Sequence, residues 1–264
     1  GAGAAGLMAG ATAALYGASV TIIEKNKRVG RKIMITGKGR CNLANNCDVQ
    51  TFINNVPVNG RFLYSAINAF TPEDTIEFFE SKGLKTKTER GNRVFPASDK
   101  SVDVVDTMHD YAVESGCKIV CDTANALILE DGAVIGVKCE ENTHYADSVI
   151  ICCGGKSYPL TGSTGDGYTL AKQAGHTIVP LKPSLVPFTS GDKQCKDMQG
   201  LALKNVALRI VDKNSKKTVY SDFGEMLFTH FGMSGPMILS ASSHIRDIQP
   251  DRYIAEIDLK PALD

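Results

Sequence analysis

The chain has 264 residues, 43% of them hydrophobic and 22% charged, an ordinary balance for a globular protein of one large or two modest domains. Its 29 basic and 29 acidic residues cancel, so no global field recruits nucleic acid or an acidic membrane, and no apolar run reaches the roughly 20 residues that span a bilayer. The eight cysteines form no Cys-x-x-Cys pair and have no histidine at zinc-finger spacing, which predicts free thiols, a reducing cytoplasmic compartment and no metal site.

Gly1-Ala2-Gly3-Ala4-Ala5-Gly6 reads Gly-x-Gly-x-x-Gly, then a helix is expected over residues 7–16 and an apolar strand that ends on Glu24. The first glycine permits a tight turn, the second lets backbone approach a pyrophosphate, and the third lets the helix pack on the sheet. The helix N-terminus supplies amides and a positive dipole, and an acid at the position of Glu24 suits a ribose hydroxyl pair. This motif ordinarily follows a hydrophobic strand, whereas here the chain opens on the glycine itself, so a fragment of a longer protein is expected.

Residues 25–45 then concentrate cations and glycines: Lys25, Arg31 and Lys32, followed by Gly37 and Gly39 flanked by Lys38 and Arg40, and Cys41-Asn42. Exposed amides beside cations suit a pyrophosphate or the polar edge of a flavin. A basic surface loop would read the same way.

Residues 46–70 look irregular, anchored by Phe52, Phe62 and Phe70. Thr71-Pro72-Glu73-Asp74 starts a helix with an N-cap, a proline at the first helical position and acids in the first turn, and Gly83 ends it. A hairpin is expected for residues 84–89 and 93–95 across Arg90-Gly91-Asn92, followed by a helix over 101–115 that Gly116 stops. Strands at 117–121, 126–130 and 133–139 follow, the last two joined at Asp131-Gly132, a strong hairpin signal.

The continuous apolar run 148–153 predicts a parallel strand buried on both faces, delivering Gly154-Gly155 at its C-terminal end, where ligands bind in open α/β sheets. Residues 161–167, including Gly165, Asp166 and Gly167, open a helix over 168–174 and form a second phosphate or ribityl cradle, without the Lys-Ser/Thr of a P-loop. Pro180, Pro183 and Pro187 mark a domain crossing. Beyond them, antiparallel strands are expected at 206–211, 218–220, 225–229 and 253–259, with a turn at Lys213-Asn214-Ser215 and a helix from Ser234-Gly235-Pro236 to residue 245.

Four of these stretches, in order, carry a resemblance: GRKIMITGKGRCNLAN from Gly30, RVFPAS from Arg93, GGKSYPLTGSTGDG from Gly154 and GEMLFTHFGMSGP from Gly224. They are similar to a family of bacterial NAD(P)/FAD-dependent oxidoreductases related to 3-dehydro-bile acid delta(4,6)-reductase. The resemblance implies an α/β fold: a Rossmann-like FAD/NAD(P)-binding domain with a parallel sheet and β-meander, plus an inserted, mainly antiparallel β-barrel-like domain. It places the first over residues 1–183, with a small α/β cap at about 46–98, and the second, incomplete, over 184–264. The family's last glycine-rich segment, which returns to the flavin, falls beyond this chain.

The implied cofactor is FAD, with Gly1, Gly3, Ala5 and Gly6 at the pyrophosphate and Glu24 at the adenosine ribose. Lys25, Arg31, Lys32, Gly37, Gly39, Arg40, Cys41, Asn42 and Asn125 would lie along the cofactor, and Gly154, Gly155, Gly165, Asp166 and Gly167 would close its far side. NAD(P)H would serve as a transient reductant, since no second dinucleotide fingerprint appears. A small organic substrate is expected, with no nucleic-acid or membrane partner, and the oligomeric state is open. His230, amid aromatics and glycine, is the candidate proton-transfer residue, against the plainer reading of a structural histidine at a turn. Two other readings stay open: an NAD-linked dehydrogenase, or a non-catalytic flavin-binding or tRNA-modification-related protein.

Overall fold

The computed structural model describes residues 1–245 and 247–262. The chain divides into two compact units, Gly1–Val179 and Pro180–Asp264. Leu263 and Asp264, the end of the expected second domain, lie outside the described residues.

The first unit begins on the glycine turn, which leads into α1 (Ala4–Leu15) and β1 (Thr21–Glu24). Its other helices are α2 (Arg31–Ile35), α3 (Val49–Asn54), α4 (Tyr64–Ala69), α5 (Pro72–Ser81), α6 (Ser101–Glu114) and α7 (Asp166–Gln173). Its other strands are β2 (Ala44–Asn45), β3 (Thr86–Glu89), β4 (Arg93–Pro96), β5 (Lys118–Cys121), β6 (Ala124–Glu130), β7 (Ala133–Cys139) and β8 (Thr143–Tyr145). The parallel pairing expected of a Rossmann-like unit is present: β1 runs beside β5, from Thr21 opposite Lys118 to Glu24 opposite Cys121. Leu7 and Ala11 of α1, Ile22 of β1 and Val104, Val105, Met108 and Ala112 of α6 share one buried core, in which α1 and α6 pack on each other.

Two antiparallel sheets complete the unit, β2-β4-β3 and the meander β6-β7-β8. The sequence signals for these are local, and they hold. Thr71 Oγ1 accepts from the Asp74 amide at 3.0 Å while Asp74 Oδ2 accepts from the Thr71 amide at 2.7 Å. This capping box stabilises α5 by about 1 kcal/mol. Asp131-Gly132 turns β6 into β7 with both residues at positive φ.

Two expectations fail here. Residues 46–70 hold the short helices α3 and α4 rather than being irregular throughout, and Asp48 caps α3 by accepting the Thr51 amide at 2.6 Å. Phe62 is 87% exposed and Phe70 43%, so neither is an anchor, and Ile53 is the buried residue. The run 148–153 joins no strand ladder among the described residues, and its Ile150 is 64% exposed. An apolar run supplies side chains, but a strand also needs a neighbour offering amides and carbonyls in register.

The second unit contains β9 (Phe188–Thr189), α8 (Lys193–Asp197), β10 (Ala202–Asp212), β11 (Thr218–Thr229), β12 (Gly232–Ser234), α9 (Pro236–His244) and β13 (Tyr253–Asp258). Its strands form one antiparallel sheet in the order β13-β10-β11-β12-β9, a half-barrel. Leu208, Ile210, Met226 and Phe228 from the sheet pack on Met237, Ile238 and Ala241 of α9. The expected strands 218–220 and 225–229 are a single strand, because Ser221, Asp222 and Phe223 stay paired with Arg209, Leu208 and Ala207. The β10–β11 turn is fixed by Asp212, whose carboxylate accepts the Asn214 and Ser215 amides and two guanidinium bonds from Arg252, at 3.0 and 2.8 Å. No helix among the described residues is long and apolar enough to cross a membrane.

Candidate functional site

The glycine turn of the first unit opens onto a cavity of about 1130 Å³, which is large for a small-molecule site. Gly3 is the N-cap of α1, extended, with no side chain to bond the first-turn amides, and Gly3, Ala4 and Ala5 line the cavity. A Cβ on Gly3 would meet nothing within 4 Å, whereas one on Gly6 would overlap the Gly1 carbonyl oxygen. The two glycines therefore answer different demands: Gly3 keeps the backbone approachable, and Gly6 lets the helix start lie against the turn.

Glu24 ends β1 beneath this turn and is buried. Its Oε2 accepts from the Ala2 amide at 2.7 Å, and its Oε1 accepts from the Asn26 amide at 2.9 Å and the Asn26 side chain at 2.5 Å. Gly30 closes the other side by donating its amide to the Ala2 carbonyl at 2.9 Å. The turn is thus held from both sides by chain that follows β1.

Cations gather around the opening. Lys25 Nζ donates to Asp166 Oδ2 at 2.6 Å and to Thr164 Oγ1 at 2.7 Å, joining the end of β1 to the start of α7. That hydrogen bond holds the Asp166 carboxyl below the usual carboxylate range. Lys32 Nζ donates to the Ser157 carbonyl at 2.5 Å, and Arg31 donates to Asn26 Oδ1 at 2.6 Å. Gly154, Gly155, Asp166 and Gly167 line the cavity, while Gly165 stands just behind as the left-handed N-cap of α7.

The loop around residue 40 divides. Cys41 and Asn42 line the cavity, and burial pushes the Cys41 thiol up, so it is a protonated thiol at neutral pH. Gly37, Gly39 and Arg40 lie outside the lining. Arg40 instead pairs with Glu89 at 2.8 Å and Asp99 at 3.2 Å, its guanidinium 4.0 Å from the Phe95 ring centre, and so braces the β3–β4 hairpin. Asn125 is exposed on β6 at a register shift between Ala124 and Ala126, outside the lining. His230 belongs to the second unit, exposed between β11 and β12 with its ring edge-on to Phe231 at 4.9 Å.

Sequence reasoning passed over Arg28, Asp122, Ser163 and Tyr168, all of which line the cavity. Asp122 had a readable signal: it follows β5 directly, at the C-terminal end of a parallel strand where ligands gather.

The HI0933-like protein Rossmann domain family model matches residues 1–241. The 3-dehydro-bile acid delta(4,6)-reductase of Clostridium scindens is 31% identical over 248 residues, covering 93% of this chain and 59% of that protein. Ribosomal RNA dihydrouridine synthases of Escherichia coli and Haemophilus influenzae are 30% and 32% identical, covering 100% and 99% of this chain and 63% of each of those proteins. The chain thus spans 59% to 63% of the length of the curated relatives it matches here.

Proposed function

The chain belongs to the HI0933-like protein Rossmann domain family, and from that membership we propose that the first unit binds FAD within an oxidoreductase acting on a small organic substrate. The observation that carries this reading is the uncapped start of α1, opening at Gly3 onto the cavity with the Glu24 carboxylate beneath it. In this reading the amides after Gly3 hold the pyrophosphate and Glu24 accepts from the adenosine ribose. Lys25, Arg31 and Lys32 offset phosphate charge, and Gly154, Gly155 and Gly167 leave room for the ring system. Bound flavin supplies hydride transfer, and the chain's contribution is to bind and orient it. NAD(P)H is the proposed reductant, docking transiently. Residues 1–183 act as the cofactor domain with a cap at 46–98, and residues 184–264 as the barrel-like part.

Extraction of the cofactor from the purified protein tests this. A flavin absorption spectrum with the chromatographic mobility of FAD is expected, and a nicotinamide dinucleotide alone would place the protein among NAD-linked dehydrogenases instead.

A second reading has its own support. Lys25, Arg28, Arg31 and Lys32 line the cavity beside the carboxylates of Glu24, Asp122 and Asp166, so cations exceed acids there by one, and two relatives are named as acting on ribosomal RNA. An RNA base as substrate would give salt-dependent RNA binding that is lost when these four cations are neutralised. A small-molecule substrate would leave RNA unbound.

A further inference from the structure

We propose that Asp122, Cys139 and His144 form a binding site for a zinc-like divalent ion in the first unit, with Asp122 standing both in this cluster and at the edge of the cavity. Each offers one ligand atom, and the three atoms lie within 4.8 Å of one another. They come from three places in the fold: Asp122 just after β5, Cys139 at the end of β7, and His144 in β8 opposite Val137.

The histidine distinguishes this cluster from an ordinary hydrogen-bonded one. Its Nε2 is buried without a hydrogen-bond partner, a state that costs free energy unless something fills it. Asp122 and Cys139 are themselves buried. The Asp122 carboxylate accepts from the amides of Thr123 at 2.7 Å, Glu141 at 3.2 Å and Asn142 at 3.1 Å, the kind of outer support that orients a ligating carboxylate. Cys139 and His144 flank one tight turn, closed by the Cys139 amide donating to the Asn142 carbonyl at 2.8 Å.

Thiolate, imidazole and carboxylate together select a borderline-soft ion such as Zn²⁺ over Mg²⁺ or Ca²⁺. Zinc bonds of about 2.0–2.3 Å place ligand atoms roughly 3.5 Å apart, so small side-chain rotations close the set, and water takes the fourth position. Binding would fasten the β7–β8 turn to the end of β5 and release the Cys139 thiol proton to solvent.

The test uses chelator-treated protein titrated with Co²⁺. One equivalent is expected to raise a thiolate-to-cobalt charge-transfer band in the near ultraviolet, bleached by Zn²⁺. Cys139→Ser should abolish the band, His144→Gln should weaken cobalt affinity at least about tenfold, and Cys47→Ser should change nothing. Circular dichroism checks that each variant is folded. Where Cys139→Ser does not fold, His144→Gln decides. No saturable band in the parent, an equal band in folded Cys139→Ser, or unchanged affinity in His144→Gln would overturn the proposal.

Discussion

The Ala2 amide donates a 2.7 Å hydrogen bond to Glu24 Oε2, joining the glycine turn to the end of β1 across 22 residues. Ala2 is fully buried, and its amide loses this acceptor when the carboxylate is removed. Glu24 therefore sets the shape of the turn, in addition to its proposed contact with a ribose. Glu24→Ala is expected to destabilise the fold by about 1–3 kcal/mol, the cost of a buried unsatisfied donor, and to weaken FAD binding about tenfold or more. Urea unfolding and a flavin-fluorescence titration check the two effects. Unchanged stability would mean that the turn holds its shape without the carboxylate.

Gly6 and Gly3 separate folding from binding. A Cβ at Gly6 would overlap the Gly1 carbonyl oxygen, so Gly6→Ala is expected to cost about 1–3 kcal/mol through forced backbone movement. Gly3→Ala meets open space and has an ordinary φ of −85°, so its stability should stay within about 0.5 kcal/mol of the parent. Denaturant midpoints for the two variants provide the comparison, and equal losses would contradict the packing role given to Gly6.

The Lys25–Asp166 pair gives a pH dependence of known sign. Lys25 holds the Asp166 carboxyl below its usual range. Such a group adds stability above its unfolded pKa and loses it as pH falls through the folded value. The stability difference between the parent and Lys25→Met should be flat from neutral pH to about 5 and shrink below about 4. Side-chain exposures of 28% and 41% keep that difference under about 1 kcal/mol. Urea melts across this range decide, and a difference that grows on acidification would refute the assignment.

Arg40 offers a contrast. Its partners are Glu89 and Asp99, and its ring contact is Phe95. Arg40→Ala is expected to lower the thermal midpoint while leaving FAD affinity unchanged within error. A loss of FAD affinity with unchanged stability would return Arg40 to the cofactor site.

What could be read from the sequence was local. The Thr71–Asp74 capping box and the Asp131-Gly132 turn each sit within four residues, and both form as expected. The Gly1–Gly6 turn and Glu24 were legible because the motif encodes a strand, a turn and a helix in fixed register. The failures depend on distant chain. Whether residues 148–153 join a sheet depends on a neighbour in register, and Phe62 is exposed although its side chain is apolar. Arg40 turns toward an acid 49 positions away, and Asp122 clamps amides at 141 and 142 that only the folded β7–β8 turn brings near. Composition at those positions carries no record of the partner.

FAD affinity in Gly3→Val measures most directly whether the start of α1 holds the FAD pyrophosphate. An added Cβ there meets nothing within 4 Å, so the variant should still fold, which circular dichroism and the unfolding midpoint check. Equilibrium titration with FAD, on protein expressed from its own gene, should give one site in the parent and a loss of about thirtyfold or more in Gly3→Val, a difference of about 2 kcal/mol. Equal FAD affinity in the two folded proteins would contradict that role of α1.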